Sequence, residues 1–198
     1  MAIIVDKDKK RRDIAGACTE LLLEKGIKNL TITEIAKTSG IGKGTVYDYF
    51  NNKEEIVFEI IRKFIEEHQL NLLSQSDRKT STKQKILHLF DVFLSEHRPY
   101  EKHLDVYREY LSVTLATKSR PMLDFNSECS GFIQTILENI FDEGIQRGEI
   151  KPIAKRLVDG ILKAERGYML TAWAEGKDLK VEFKEYIDTL FDLIEIKK

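Results

Sequence analysis

The sequence is poor in residues that break or bridge a chain. Its 198 residues hold 3 prolines, 11 glycines and 2 cysteines. So few turn formers leave little material for the tight turns of an all-β fold. Cys18 and Cys129 alone can form neither a disulfide framework nor a cysteine-based zinc site. Histidine is equally scarce: His68, His88, His97 and His103 make no His-x-x-x-His or His-Glu-x-x-His pair. Long apolar runs are missing too, none approaching the ~20 residues of a membrane span. The opening Met1-Ala2-Ile3-Ile4-Val5-Asp6 is too short an apolar stretch for a secretory signal. What is present is 42% apolar and 33% charged residues, the composition of a globular chain and not a disordered one. The expectation is a soluble, cytoplasmic, all-helical protein with no metal, no cofactor and no membrane partner.

Apolar residues recur at spacings of three and four, and strict alternation is nearly absent, which predicts an all-α fold of about nine helices. The first stripe, Ile14, Cys18, Leu21 and Leu22, stops at Lys25-Gly26. Thr31-Ile32-Thr33-Glu34 has the form of a capping box and opens a short helix with Ile32, Ile35 and Ala36 inward, ending at Gly40. A second short helix runs from about Lys43 to Phe50. Asn52 then caps a long helix with Ile56, Val57, Ile60, Ile61, Phe64 and Ile65 on one face; its polar end, Ser74 to Thr82, is the clearest linker. Five more apolar faces follow: Ile86 to His97, Tyr100 to Leu111, Phe125 to Phe141, Ala154 to Trp173, and Phe183 to Ile194. Pro99, Pro121 and Pro152 all fall where a helix would begin and a missing N–H costs nothing. Cys18 and Cys129 on apolar stripes read as small core residues, and His68 and His97 as core or pocket-wall residues.

Charge is not spread evenly. Residues 1–53 hold 10 Lys/Arg against 7 Asp/Glu, and the remainder is acidic. A basic head suggests an anionic partner, although a solvated charged face produces the same asymmetry. Within the head, two short helices joined by Gly40-Ile41-Gly42 have the layout of a helix-turn-helix. Ile35, Ala36, Ile41, Val46 and Phe50 would lock the pair together, leaving Lys43, Gly44, Thr45, Tyr47 and Tyr49 toward the outside. In such motifs the second helix enters the major groove N-terminal end first. Lys43 supplies charge there, Gly44 permits close backbone approach, and Thr45 offers a hydroxyl and a methyl to base edges. A nucleotide loop is excluded: the phosphate-loop motif needs Gly where Lys37 stands and Ser or Thr where Gly44 stands.

These residues also carry a resemblance. Gly26, Thr31, Ile35-Ala36, Gly40, Lys43-Gly44-Thr45, Tyr47, Phe50 and Asn52-Lys53-Glu54-Glu55 strongly resemble the DNA-binding domain of TetR-type (tetracycline-repressor-like) regulators. The resemblance covers roughly the first 60 residues; beyond them only the helical architecture matches. It implies that Lys43, Gly44, Thr45 and Tyr47 meet bases or nearby phosphates, that Thr33 reaches the DNA from the side, and that Tyr49 and Lys53 hold phosphates. Three positions depart from the pattern: Gly42 replaces the usual Ser cap, Asp48 places an acid on the recognition helix, and Leu22 stands where Phe is usual.

The resemblance further implies two parts: a helix-turn-helix DNA-binding domain, residues 1–52, and a helical effector-binding and dimerisation domain, residues 53–198. The last two helices would pair with their symmetry mates in a four-helix bundle. The expectation is a dimer held by residues 153–196 and broken by charges at Leu190 and Phe191. The family places an effector pocket among the body helices, and Tyr107, Tyr110, Phe132 and Trp173 are its candidate lining. Glu165, inside an apolar stripe, is either half of an interface ion pair with Arg166 or Lys163 of a partner, or a polar anchor in that pocket. The function expected is a homodimeric repressor on a palindromic operator, released by a small hydrophobic effector. The alternative is a similar DNA binder acting as activator or nucleoid-associated protein without an effector. Nothing in the spacing supports an enzyme.

Overall fold

The computed structural model describes residues 6–75, 79–94 and 98–197; the side chains of 72–75, 98 and 99 lie outside that description. The described residues form eleven α-helices. The two beyond the expected nine come from breaks inside predicted helices. The first predicted helix is α1 (Lys7–Ala17) and α2 (Thr19–Asn29), interrupted at Cys18 with φ −97° and ψ 2°. The fifth is α6 (Thr82–Leu89) and α7 (Asp91–Leu94), interrupted at Phe90 with φ −93° and ψ 12°. The others are α3 (Ile32–Thr38), α4 (Lys43–Tyr49), α5 (Lys53–Gln75), α8 (Arg98–Thr117), α9 (Arg120–Gln146), α10 (Val158–Glu175) and α11 (Lys180–Ile194), with a 3-10 turn at Pro152–Leu157. Pro99, Pro121 and Pro152 do stand at the first or second position of an element. The expected linker, Ser74 to Thr82, falls partly outside the described residues, as do His97 and the residues before Asp6.

The chain forms two compact units. The first is Met1–His68 with His97–Asn126, the second Gln69–Glu96 with Ser127–Lys198. This division by packing assigns α8 to the same unit as the helix-turn-helix.

In the first unit, Asp6 caps α1 by accepting from the amides of Asp8 and Lys9 at 3.1 and 3.0 Å. Asn52 caps α5 through the Glu55 amide at 2.9 Å. Ile14, Cys18, Leu22, Ile35, Val46, Phe50 and Ile56 are buried together with Val106 and Tyr110 of α8. Each such aliphatic or aromatic side chain contributes about 1.5–3 kcal/mol when fully buried. Burial pushes the Cys18 thiol up to about 11, so it stays protonated and acts as a small core group.

In the second unit, Phe183 of α11 meets Phe90 and Phe93 edge-on at 5.5 and 5.7 Å. Leu137, Phe141, Ile161, Ile187 and Phe191 are buried with them. Phe191, expected at a subunit interface, is only 2% exposed and belongs to this core. A polar lock joins the start of α6 to the end of α9. Glu149 accepts from the Thr82 amide and hydroxyl at 2.8 and 2.7 Å, and buried Lys85 donates to both oxygens of Glu143 at 2.7 Å. That ammonium holds the Glu143 carboxyl below the usual carboxylate range, against the opposing cost of desolvation. Behind α11 the chain returns to pair Ile150 with Glu195 in one antiparallel bridge.

Candidate DNA-binding interface

Local sequence builds this site almost alone. The Thr31 hydroxyl accepts from the Glu34 amide at 3.3 Å and so caps α3, and it donates to the Glu34 carboxylate at 2.8 Å, so that Glu34 reaches back to the Thr31 side chain. Lys25 pairs with the same carboxylate and, with Thr31, holds it below its ordinary pKa. At the other end, Gly40 adopts φ +68°, a conformation that a Cβ would strain. The Ile41 amide then donates to the Ala36 carbonyl at 3.0 Å and the Gly40 amide to the Lys37 carbonyl at 3.3 Å. These two bonds are a Schellman turn, which satisfies the last carbonyls of α3 and redirects the chain. Gly42 begins α4 with no side-chain cap, so no cap side chain covers the first amides of α4.

Buried Val46 and Phe50 anchor α4, as the spacing predicts. Lys43, Gly44 and Asp48 are exposed, Tyr47 is 57% exposed, and Thr45 and Tyr49 are half-buried. A side chain at Gly44 would meet nothing within 4 Å, so its backbone is open to close approach. Thr33 is exposed on α3.

Lys53 differs from this group. Its ammonium donates to the carbonyls of Ile27, Lys28 and Leu30 at 2.9, 3.0 and 3.1 Å, which occupies all three of its N–H bonds. A positive charge on terminal carbonyls is stabilising. The expected consequence of Lys53→Ala is therefore a loss of about 1–2 kcal/mol of stability, discounted for partial exposure. Denaturant titration checks this. Unchanged stability with a shallower salt dependence of DNA binding would return Lys53 to the phosphate contacts.

Arg11 was legible only as one charge in a basic run, yet it fixes the far end of α4. Its guanidinium donates to the Tyr49 carbonyl, lies 3.5 and 3.4 Å from Glu55 and Glu59, and stacks 4.4 Å above the Phe50 ring. This single side chain ties α1, α4 and α5 together.

The five candidate pocket residues fall in different units. Tyr107 and Tyr110 are in the first; Phe132, Glu165 and Trp173 are in the second. Tyr110 is buried and donates its hydroxyl to the Met122 carbonyl at 2.6 Å. Its ring meets Phe58 and Phe125 edge-on at 6.3 and 5.9 Å, and those two stack at 4.4 Å. Phe132 is 37% exposed, whereas Glu165 is 9% exposed.

A short helix held on a Schellman turn, with an apolar inner face and Lys43, Gly44 and Tyr47 outside, has the layout of a helix-turn-helix, the motif that sets its second helix in the major groove. Residues 14–60 match the family model for bacterial regulatory proteins of the tetR family. The fold is shared with the TetR-family transcriptional regulator of Cytophaga hutchinsonii, which is 18% identical, has a TM-score of 0.74, and aligns over 99% of this chain and 100% of that one. The likeness to tetR-family regulators is thus carried in sequence by residues 14–60 and in fold by the whole chain. It is 27% identical to the fatty acid metabolism regulator protein of Bacillus subtilis, over 79% of this chain and 81% of that protein. It is 26% identical to the transcriptional repressor KstR2 of Mycolicibacterium smegmatis, over 72% and 68% respectively.

Proposed function

We propose that the protein is a repressor that binds a palindromic operator as a homodimer and leaves it when a small hydrophobic effector binds. The observation that carries this reading is the outward face of α4, where charge, open backbone and a hydroxyl lie together above a fixed inner face. Lys43, Gly44, Thr45 and Tyr47 read the major groove, with Thr33 and Tyr49 flanking them on the backbone. Residues 1–52 act as the DNA-binding part and 53–198 as the part that dimerises and binds effector. A protein with this task works in the cytoplasm, where the operator is.

Two recognition helices must meet successive major grooves about 34–36 Å apart. An effector releases the operator by favouring a dimer in which that spacing is lost, which requires different affinities for the two states. The similarity to a regulator of fatty acid metabolism supports an apolar ligand. So do the aromatic side chains of the second unit, with Phe132 and Trp173 as lining and Glu165 as polar anchor.

Selection of bound duplexes from random DNA tests the reading. The expected product is a palindrome, and Thr45→Ala should change a preferred base in each half-site. An identical preference for both proteins would remove Thr45 from base recognition. An effector that acts by this route should lower operator affinity about 5–150-fold, and the operator must weaken the effector equally. If no member of an apolar library raises the melting temperature, effector-free regulation is the better reading.

A further inference from the structure

We infer that Glu109 is a positioning residue for DNA recognition: its carboxylate holds the turn at residues 26–30 in the setting from which the helix-turn-helix reads an operator. The inference rests on the operator-binding reading above.

The turn is awkward for a backbone. Gly26 has φ +73° and interrupts α2, so the amides that follow lose their helical acceptors. Glu109, from α8, supplies both replacements. One oxygen accepts from the Ile27 amide at 2.7 Å and the other from the Lys28 amide at 2.9 Å. Glycine is favoured at position 26 by its φ, and a Cβ there would also push the Glu109 carboxylate out of its place on the turn. On the opposite side, Lys53 donates to the carbonyls of Ile27, Lys28 and Leu30. One short turn is thus gripped by an anion from α8 on its N–H side and by a cation from α5 on its C=O side.

The grip leads directly to the reading helix. Leu30 is 1% exposed, Thr31 caps α3, and the Schellman turn after α3 sets α4. Close-packed interiors transmit such displacements instead of absorbing them. Glu109 is itself steady, because the next residue, Tyr110, is held by the Met122 carbonyl and the Phe58 and Phe125 rings. A shift of α8 by about an ångström would carry both bonds beyond hydrogen-bonding distance. The turn would then be held from α5 alone.

The test compares wild type and Glu109→Gln on two probes: a duplex recovered by selection with the wild type, and a scrambled duplex of equal length. Glutamine keeps the shape but turns an NH2 toward one of the two amides. Per folded molecule, affinity for the selected duplex should fall about tenfold while the scrambled duplex is bound as before, which is a coupling of ordinary size. A merely structural role would leave that ratio unchanged, and an unchanged ratio overturns the inference while leaving operator binding intact. A second measurement uses only the wild type. The selected duplex should slow hydrogen exchange at the Ile27 and Lys28 amides more than the scrambled one does. Equal exchange with both duplexes overturns the inference, and failure of the wild type to select any sequence removes the operator reading with it.

Discussion

Glu165→Gln should remove a loss of stability that the wild type shows as pH rises from about 4.5 to about 7. Glu165 lies on α10 between Leu162 and Met169, and burial pushes its carboxyl from the ordinary 4.5 up to about 7, with the Arg166 charge pulling weakly the other way. In the unfolded chain the group loses its proton near 4.5, whereas in the folded chain it keeps the proton until about 7. Between those values the folded state binds more protons, so stability falls as pH rises through the window and levels off above it. The shift corresponds to a penalty on the order of 3 kcal/mol. The two nearest cations along the helix are engaged elsewhere: Lys163 pairs with Asp159 at 2.5 Å, and Arg166 donates to the Ser130 hydroxyl at 2.7 Å. Among the described residues no cation pairs with Glu165. Chemical denaturation at pH 5 and pH 8 measures the slope directly. Equal stability of wild type and variant at both pH values, or a wild type that gains stability across the window, would mean that a cation from a second copy neutralises the carboxylate in solution.

The parts of the molecule that local chemistry specifies were legible in the sequence. Thr31, Gly40, Gly42 and Asn52 act through neighbours within five positions, so spacing alone located α3, α4 and the start of α5. The breaks at Cys18 and Phe90 were not legible. Each changes the direction of one residue while the next turn resumes its bonds, Leu22 to Cys18 and Leu94 to Phe90 both at 3.0 Å, so the apolar stripe runs on undisturbed. Long-range pairing was invisible for a different reason. Arg11 finds Tyr49 at a separation of 38 residues and Glu109 finds Ile27 at 82, and in a sequence one-third charged nothing marks which ion will be folded inward. Lys53 illustrates the cost of position without geometry: its place in the motif suggested phosphate, whereas its ammonium meets three carbonyls. The pocket candidates were chosen as aromatic residues on body helices, a criterion that cannot separate Tyr110, packed and hydrogen-bonded, from Phe132, which is open to solvent.

Charging Leu170 and Leu193 together should divide the protein into folded monomers that bind operator poorly. Phe191 is unsuited to this test, since a charge there would enter the core beside Phe183 and Ile187 and unfold the second unit. Leu170 on α10 and Leu193 on α11 are instead 46% and 65% exposed, so the isolated chain tolerates glutamate at both. Large apolar side chains left open on the two helices expected at the interface are what a subunit contact would cover. In a two-fold dimer each substitution occurs twice, and burying unpaired carboxylates costs several kcal/mol. A cost of about 4 kcal/mol would weaken the dimer roughly a thousandfold. Operator affinity should fall with it, because two half-sites bound by one dimer gain about 10²–10⁴ from effective concentration that separate monomers forgo. Sedimentation at micromolar concentration, with circular dichroism to verify helix content, gives the answer. A wild type that sediments as a monomer would reject the dimeric architecture, and a variant that remains dimeric would move the interface away from α10 and α11. A variant that is monomeric yet retains full operator affinity would show that one recognition helix suffices, and the palindrome would then have no structural cause.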